Sequence, residues 1–232
     1  MKLAIMQPYF FPYIGYFQLI NAVDRFIFYD DVNYIKGGWI NRNNILANGE
    51  KQLFTLQLQG ASSFKKINQI QIGTNSKKIL KSIAQAYSKA PYFNNIFPLI
   101  ERIFIKILPH STIADIAIKS VQEVCQYLNI QTILEVSSLN YEKTNHLKRE
   151  QRLVKICKIN KAGTYINSPG GSSLYKKKDF SNQDINLLFL ETQLLTYKQF
   201  SDFSCPNLSI IDVMMFNSKE RIEELLTRYT LK

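Results

Sequence analysis

The 232-residue sequence predicts an α/β fold, a Rossmann-like parallel sheet carrying a β-hairpin insertion and a helical block. Three observations predict it. Short apolar runs that stop at polar residues recur along the chain. Stretches of helical periodicity separate them. The first 31 residues form a complete strand, turn, helix, strand unit.

Within that unit Lys2-Leu-Ala-Ile-Met6 reads as a buried strand that breaks at Gln7-Pro8 into the aromatic turn Tyr9-Phe-Phe-Pro-Tyr-Ile-Gly15. From Gly15 the spacing turns helical, with Tyr16, Leu19, Ile20 and Val23 on one face. Arg25-Phe-Ile-Phe-Tyr29 is a second buried strand, ending in Asp30-Asp31. In such units the second strand runs parallel to the first, the crossover is right-handed, and ligands gather at the carboxyl ends of the strands. That edge carries Gln7, Tyr9, Asp30 and Asp31.

Residues 33–72 read as the hairpin insertion: a Lys36-Gly-Gly38 turn, Trp39-Ile-Asn-Arg42, an Asn48-Gly49 turn and the alternating run from Gln52 to Leu58, closed by a strand near Ile67 to Ile72. The helical block, about 76–128, holds stretches over 76–88, 91–107 and 112–128, punctuated by Ala90-Pro91 and Leu108-Pro109. Thr132 to Val136 then reads as a strand, His146 to Lys161 as a basic amphipathic helix, and Thr164 to Asn167 as another strand before the turn Ser168-Pro-Gly-Gly-Ser-Ser173. Leu187 to Leu190 is one more strand, and closing helices cover 207–216 and 218–229, the second capped by Ser218. With no internal repeat or flexible linker, residues 1–232 read as a single α/β domain.

A composition of 46% hydrophobic and 20% charged residues supports a sizeable core. There is no run of about 18 apolar residues, and the start lacks a cleavage pattern, so a soluble protein without membrane insertion is expected. Cys125, Cys157 and Cys205 are odd in number and widely spaced. They predict reduced thiols, a cytoplasmic location and no metal site. The net charge of +11 fits either a solvated lysine-rich surface or attraction to anionic partners such as nucleotide phosphates or RNA.

The candidate chemistry follows from residue type and place. Gln7 offers an amide at a strand end. Tyr9, Tyr13 and Tyr16 suit core packing or a platform for a base or sugar ring, beside backbone N–H groups near Gly15. Of the adjacent carboxylates Asp30 and Asp31, at most one faces a pocket if the strand continues, and that one suits a general base or a hydroxyl ligand. Lys36, Trp39, Asn41 and Arg42 follow a glycine pair with a ring, an amide and a guanidinium able to hold phosphate bidentately, although Trp39 and Arg42 also suit a sheet-face anchor and a surface ion pair. The turn at Gly170 and Gly171 can cradle a phosphate, and His146, at a helix start, is a candidate acid–base group; His110 is a weaker one.

Several segments resemble the WbqC-like protein family of bacterial polysaccharide and O-antigen biosynthesis. They are Met6 to Phe17, Tyr29-Asp-Asp-Val32, Lys36 to Arg42, Ala86 to Tyr92, and Phe203 to Asp212. The pattern departs after Phe216, where Asn217-Ser218 replaces asparagine-glycine. The resemblance implies modification of nucleotide-linked amino sugars whose amine receives an acyl or aminoacyl group such as glycyl. It lends weight to Ser209 and Asp212, which otherwise read as a helix cap and a helical polar residue. More remotely, Pro12 to Tyr16 between parallel strands resembles the start of the HIGH-motif nucleotidylyltransferase superfamily. Tyr13 and Tyr16 stand where that superfamily has histidines, and no matching lysine and serine signature follows.

The resulting expectation is an N-acyl or aminoacyl transferase, or amide ligase, acting on an amino sugar, with acyl-CoA, ATP plus a free acid, or aminoacyl-tRNA as donor. A binding module without catalysis and a nucleotidylyltransferase are the competing readings.

Overall fold

The computed structural model describes residues 1–105, 107–108, 110–193, 196–201 and 204–232. The helix-breaking role expected of Pro109, and Phe203 of the last family segment, lie outside the described residues.

The chain opens with β1 (Lys2–Met6), α1 (Ile14–Asn21) and β2 (Arg25–Phe28), the unit that the sequence predicts. The insertion follows: an antiparallel hairpin of β3 (Arg42–Ala47) and β4 (Glu50–Thr55), then a small pair of β5 (Leu58–Gln59) and β6 (Gln71–Ile72). Asn48 and Gly49 both have positive φ, +53° and +81°, as the two-residue hairpin turn requires. Helices α2 (Ser76–Tyr87), α3 (Phe93–Ile105) and α4 (Ile113–Tyr127) form the helical block. Thr112 starts α4 with a reciprocal box: its hydroxyl accepts from Asp115 N–H while the Asp115 carboxylate accepts from Thr112 N–H.

The sheet resumes with β7 (Ile133–Val136), followed by α5 (Ser137–Asn140), α6 (Arg149–Ile159), β8 (Thr164–Asn167), α7 (Lys177–Ser181) and β9 (Asn186–Thr192). The chain closes with α8 (Ile210–Phe216), α9 (Lys219–Leu225) and β10 (Tyr229–Leu231). The six-stranded order is β10-β9-β8-β1-β2-β7, parallel throughout except for β10 against β9. Counted along the chain, the five parallel strands run 3-2-1-4-5, the first five positions of the Rossmann order 3-2-1-4-5-6.

Strand alternation divides the core. Ala4, Phe26 and Phe28 face one side with α1 and the helical block, while Leu3, Ile5 and Ile27 face the other with Leu153 and Ile156 of α6 and Phe180 of α7. Both faces of the parallel sheet are thus covered, as its continuous apolar strands demand.

Four expectations need correction, the first being the closing helix over 218–229, which ends at Leu225, with Tyr229 already in the edge strand β10 because it pairs with Thr192 of β9. The strand expected near Ile67 to Ile72 is mostly a 3-10 turn over Ile67–Gln69, with only β6 extended, because Ile67 N–H bonds the Val32 carbonyl and not a neighbouring strand. The helix expected from His146 begins at Arg149, since its N-cap Lys148 has an extended backbone, φ −117° and ψ 150°. The helix expected from Asn207 begins at Ile210, where the Ser209 hydroxyl caps it by accepting from Ile211 N–H. Three short elements escape sequence periodicity: the four-residue α5, α7, with Phe180 its buried anchor, and the three-residue edge strand β10.

Candidate functional site

In a 3-2-1-4-5 sheet the connections leave β1 and β8 toward opposite sides, opening a crevice at their carboxyl ends. A cavity of about 410 Å³ lies there, floored by Met6 at the end of β1 and reached by Ser168 directly after β8. Tyr9, Tyr13, Tyr16 and Trp39 give it aromatic walls, and Asn43 and Asn207 bring amides.

The aromatic turn is held in place by the rest of the fold. Phe11 has φ +44°, a backbone conformation that costs a non-glycine residue about 1–3 kcal/mol. Three side chains fix it: Phe11 N–H donates to Ser120 Oγ at 3.1 Å, and its carbonyl accepts from Asn43 Nδ2 and Ser209 Oγ, each at 2.7 Å. Backbone bonds from Phe10 N–H to the Ile40 carbonyl and from Ile210 N–H to the Pro12 carbonyl complete the clamp. Ser209 is therefore a support of the site as well as a helix cap.

Gly15 stands in the first turn of α1, where an added Cβ would lie 2.3 Å from the Tyr13 ring and 2.5 Å from Thr192 Oγ1. Only glycine lets the Tyr13 ring close over the helix start. Tyr13 is the N-cap and makes no side-chain capping bond, so the first-turn N–H groups of α1 receive no side-chain cap from it. The Tyr16 hydroxyl donates to the Gln7 carbonyl at 2.8 Å, which is how Gln7 enters the geometry; its amide does not line the cavity. Burial raises the pKa of Tyr9, Tyr13 and Tyr16, for Tyr9 with a smaller contribution from Tyr13 and for Tyr16 from Tyr9 and Cys125. The phenols stay neutral at physiological pH and remain hydrogen-bond donors.

The other candidates do not line this cavity. The Arg42 guanidinium donates to the Gly37 and Gly38 carbonyls and sits 5.8 Å from the centre of the Trp39 ring, bracing the turn that presents Trp39. Asn41 is buried, accepting from the Tyr34 hydroxyl and donating to the Leu56 carbonyl. Lys36 is exposed at the same turn. Gly170 is exposed and Gly171 buried against Asn167 in the 3-10 turn that leaves β8. His146 is exposed ahead of α6.

Asp30 and Asp31 are both buried. The expected alternation of their side chains does not apply, because β2 stops at Phe28 and the two carboxylates converge on the Ser137 hydroxyl. Asp30 accepts from Ser137 Oγ, Ser138 N–H, Ser138 Oγ and Asn68 Nδ2 at 2.6–3.0 Å, filling the four lone-pair positions of a carboxylate. Asp31 pairs with Arg152 at 2.6 Å, and the guanidinium also lies 4.8 Å from the Tyr29 ring centre. Together they tie the end of β2 to α5 and α6.

Asp212 is fully buried and accepts from the hydroxyls of Tyr87 (2.8 Å) and Tyr197 (2.7 Å) and from Gln199 Nε2 (2.6 Å). Burial raises its pKa, and those three donors oppose the rise. A second hollow of about 300 Å³ shares Tyr13 and Asn207 with the main cavity and is bordered by Thr192, Tyr197 and Val213. Among the described residues no group of three or more His, Cys, Asp or Glu is arranged to hold a metal ion.

Sequence reasoning missed Asn43, Asn207 and Arg152. Arg152 left a signal, since it shares the apolar face of its helix with Leu153, Ile156 and Cys157. Asn43, buried at the second position of β3, and Asn207, with φ +59° in a loop, gave none that separates them from ordinary polar positions.

The aromatic turn and the Trp39 turn line one cavity, Ser209 braces the aromatic turn through the Phe11 carbonyl and Asp212 bonds Tyr87, and the WbqC-like protein family model matches residues 7–224, spanning all of them. The chain belongs to the WbqC-like protein family. A family relative in Mycobacterium tuberculosis, the uncharacterized protein Rv1507c, is 31% identical over 220 residues, covering 93% of each chain. No solved structure matches the chain significantly.

Proposed function

We propose that this WbqC-like protein binds a nucleotide-linked amino sugar in the cavity at the ends of β1 and β8 and forms an amide on the sugar's amine, in the biosynthesis of a surface polysaccharide. The observation that carries this reading is the coincidence of an aromatic-walled cavity with the switch point of a 3-2-1-4-5 sheet. Tyr9 and Trp39 offer faces to a base or sugar ring. Ser168, Asn43 and Asn207 offer hydrogen bonds to hydroxyls, and the start of α1 offers N–H groups and the positive end of its dipole to a phosphate. The adjoining hollow behind Tyr13 and Asn207 gives a second reactant room beside the first.

In the reaction the amine nitrogen attacks the donor's carbonyl carbon. The C–N bond forms as the donor's C–S or C–O bond breaks, and the proton lost by the amine passes by way of a carboxylate to the departing sulfur or oxygen. Asp30 or Asp31 is the proposed proton acceptor, a role that requires one of them to give up a bond to Ser138 or Arg152 and turn toward the cavity, which neither lines at rest. General-base help contributes about 10²- to 10⁴-fold, so Asp30→Asn or Asp31→Asn lowers kcat at least tenfold at a temperature where the variant is folded. Full activity in both would leave these carboxylates as anchors of α5 and α6 alone.

A thermal-shift panel of nucleotide-linked amino sugars, acyl-CoA and ATP tests the binding half. At about 100 times Kd a ligand adds about 2.7 kcal/mol, which for a chain of this size raises Tm by about 5 to 10 °C. The reading expects that shift with an amino-sugar nucleotide and its loss in Tyr9→Ala. A shift that survives Tyr9→Ala and Trp39→Ala, or none with any sugar nucleotide, overturns it.

A further inference from the structure

The positive charge is not spread evenly. Residues 142–181, through the end of α7, hold ten lysines and arginines against Glu142, Glu150 and Asp179, contributing +7 of the chain's +11. Arg152 alone of the ten is buried; Lys143, Lys148, Arg149, Lys155, Lys158, Lys161 and Lys176 to Lys178 are exposed. These residues belong to α6, α7 and their approaches, whose inner faces are fixed in the second core by Leu153, Ile156 and Phe180, so the cations occupy the outer face.

Like charges so crowded repel one another, and Lys148-Arg149 and Lys176 to Lys178 also stand at helix starts, where the dipole opposes them. Multivalent anions relieve both penalties. Between the helices runs a groove of about 550 Å³ with Lys155 and Lys158 on its α6 wall. Glu150, Gln151, Asp179 and Asn182 line it as well. Carboxylates and amides among lysines disfavour a plain phosphate or a lipid surface, but they suit ribose, whose 2′-hydroxyl both donates and accepts. A concave face also fits a ridged phosphate backbone better than a flat bilayer. The chain runs directly from Ser168 in the cavity wall, through the 3-10 turn, to Lys176.

We propose that the α6–α7 face docks the phosphate backbone of a structured RNA. Resting on the transfer reading above, this makes an aminoacyl ester carried on RNA the donor: the sugar amine forms the amide as the ester C–O bond breaks, and the RNA hydroxyl leaves with the proton.

Fluorescence anisotropy of the full chain with labelled bulk tRNA tests the docking. With about five phosphates neutralised, log K falls against log salt with a slope of about −4.5, or roughly 500-fold between 50 and 200 mM. Lys176→Glu/Lys177→Glu/Lys178→Glu should weaken binding at least tenfold and flatten the slope. Lys77→Glu/Lys78→Glu/Lys81→Glu, on the exposed lysines of α2, removes the same charge elsewhere and should change affinity less than threefold. No tRNA binding at 50 mM salt, equal losses in the two triple variants, or tighter binding to vesicles of anionic lipid than to tRNA each overturns the proposal. Sugar-nucleotide thermal shifts retained by the Lys176–Lys178 variant show that the cavity reading stands or falls separately.

Discussion

Removing the Asp31 charge should destabilise the protein by an amount that the buried pair sets. The side chains of Arg152 and Asp31 are 4% and 2% exposed and 2.6 Å apart. Asp31→Asn leaves a guanidinium in the interior without its counter-charge, a change that typically costs about 3–5 kcal/mol. The amide oxygen still accepts from Arg152, and the Ser137 hydroxyl can turn to accept from the new amide, which places the loss near the lower end, about 3 kcal/mol. At about 2–4 °C per kcal/mol for a chain of this length, Tm falls by about 6 to 12 °C. Arg152→Met should lose a similar amount, because it strands Asp31 in turn. The double variant removes both charges and should be less destabilised than the sum of the singles, by at least 1.5 kcal/mol of coupling. Urea midpoints and thermal scans of the four proteins give the cycle. An Asp31→Asn loss under 1 kcal/mol, or strict additivity, refutes the claim that this pair locks α6 to the end of β2.

Three further outcomes follow from the same geometry. Gly15→Ala should lose about 1–3 kcal/mol and weaken sugar-nucleotide binding at least tenfold by calorimetry, because the new methyl displaces the Tyr13 ring; unchanged affinity would show that the ring's position is irrelevant. Burial pushes the thiols of Cys125 and Cys157 up to about 12, so both stay protonated and unreactive at pH 8. The native protein should therefore titrate one fast thiol, the half-buried Cys205, and three after denaturation. Asp212 has a pKa raised above its ordinary 3.8 by burial. The folded state then binds its proton more readily than the unfolded state, so stability linked to this group falls as pH rises from 3.8 through the raised value. Tm of wild type relative to Asp212→Asn should decline across that interval, and a parallel pair of curves would contradict the assignment.

Much of the frame was legible because its signals are local. β1, α1 and β2 show their periods within 31 residues, and the Asn48-Gly49 turn announces its hairpin. The Thr112 and Ser218 caps likewise sit beside the helices they start. The order of the parallel strands was not, since β8 reaches β1 only after more than a hundred residues of insertion and helices have folded elsewhere. The site divides in the same way. Tyr9, Tyr13, Gly15, Tyr16 and Trp39 were nominated as aromatic or strand-end residues and do line the cavity. Asp30, Asp31, Asn41 and Arg42 carry equally suggestive groups, but their partners, Ser137, Arg152, Tyr34 and the Gly37 and Gly38 carbonyls, decide where those groups point. No spacing rule encodes a contact such as Asp31 to Arg152 across 121 residues.

The central claim, that the crevice between β1 and β8 is the sugar-nucleotide site, has a built-in reporter. Trp39 is the chain's single tryptophan, lines that cavity and is 45% exposed. Titrating a nucleotide-linked amino sugar while following tryptophan emission should give a saturable change, with a midpoint matching the calorimetric Kd and abolished by Tyr9→Ala. Calorimetric binding of the same ligand with no change in Trp39 emission would place the site elsewhere and contradict the account.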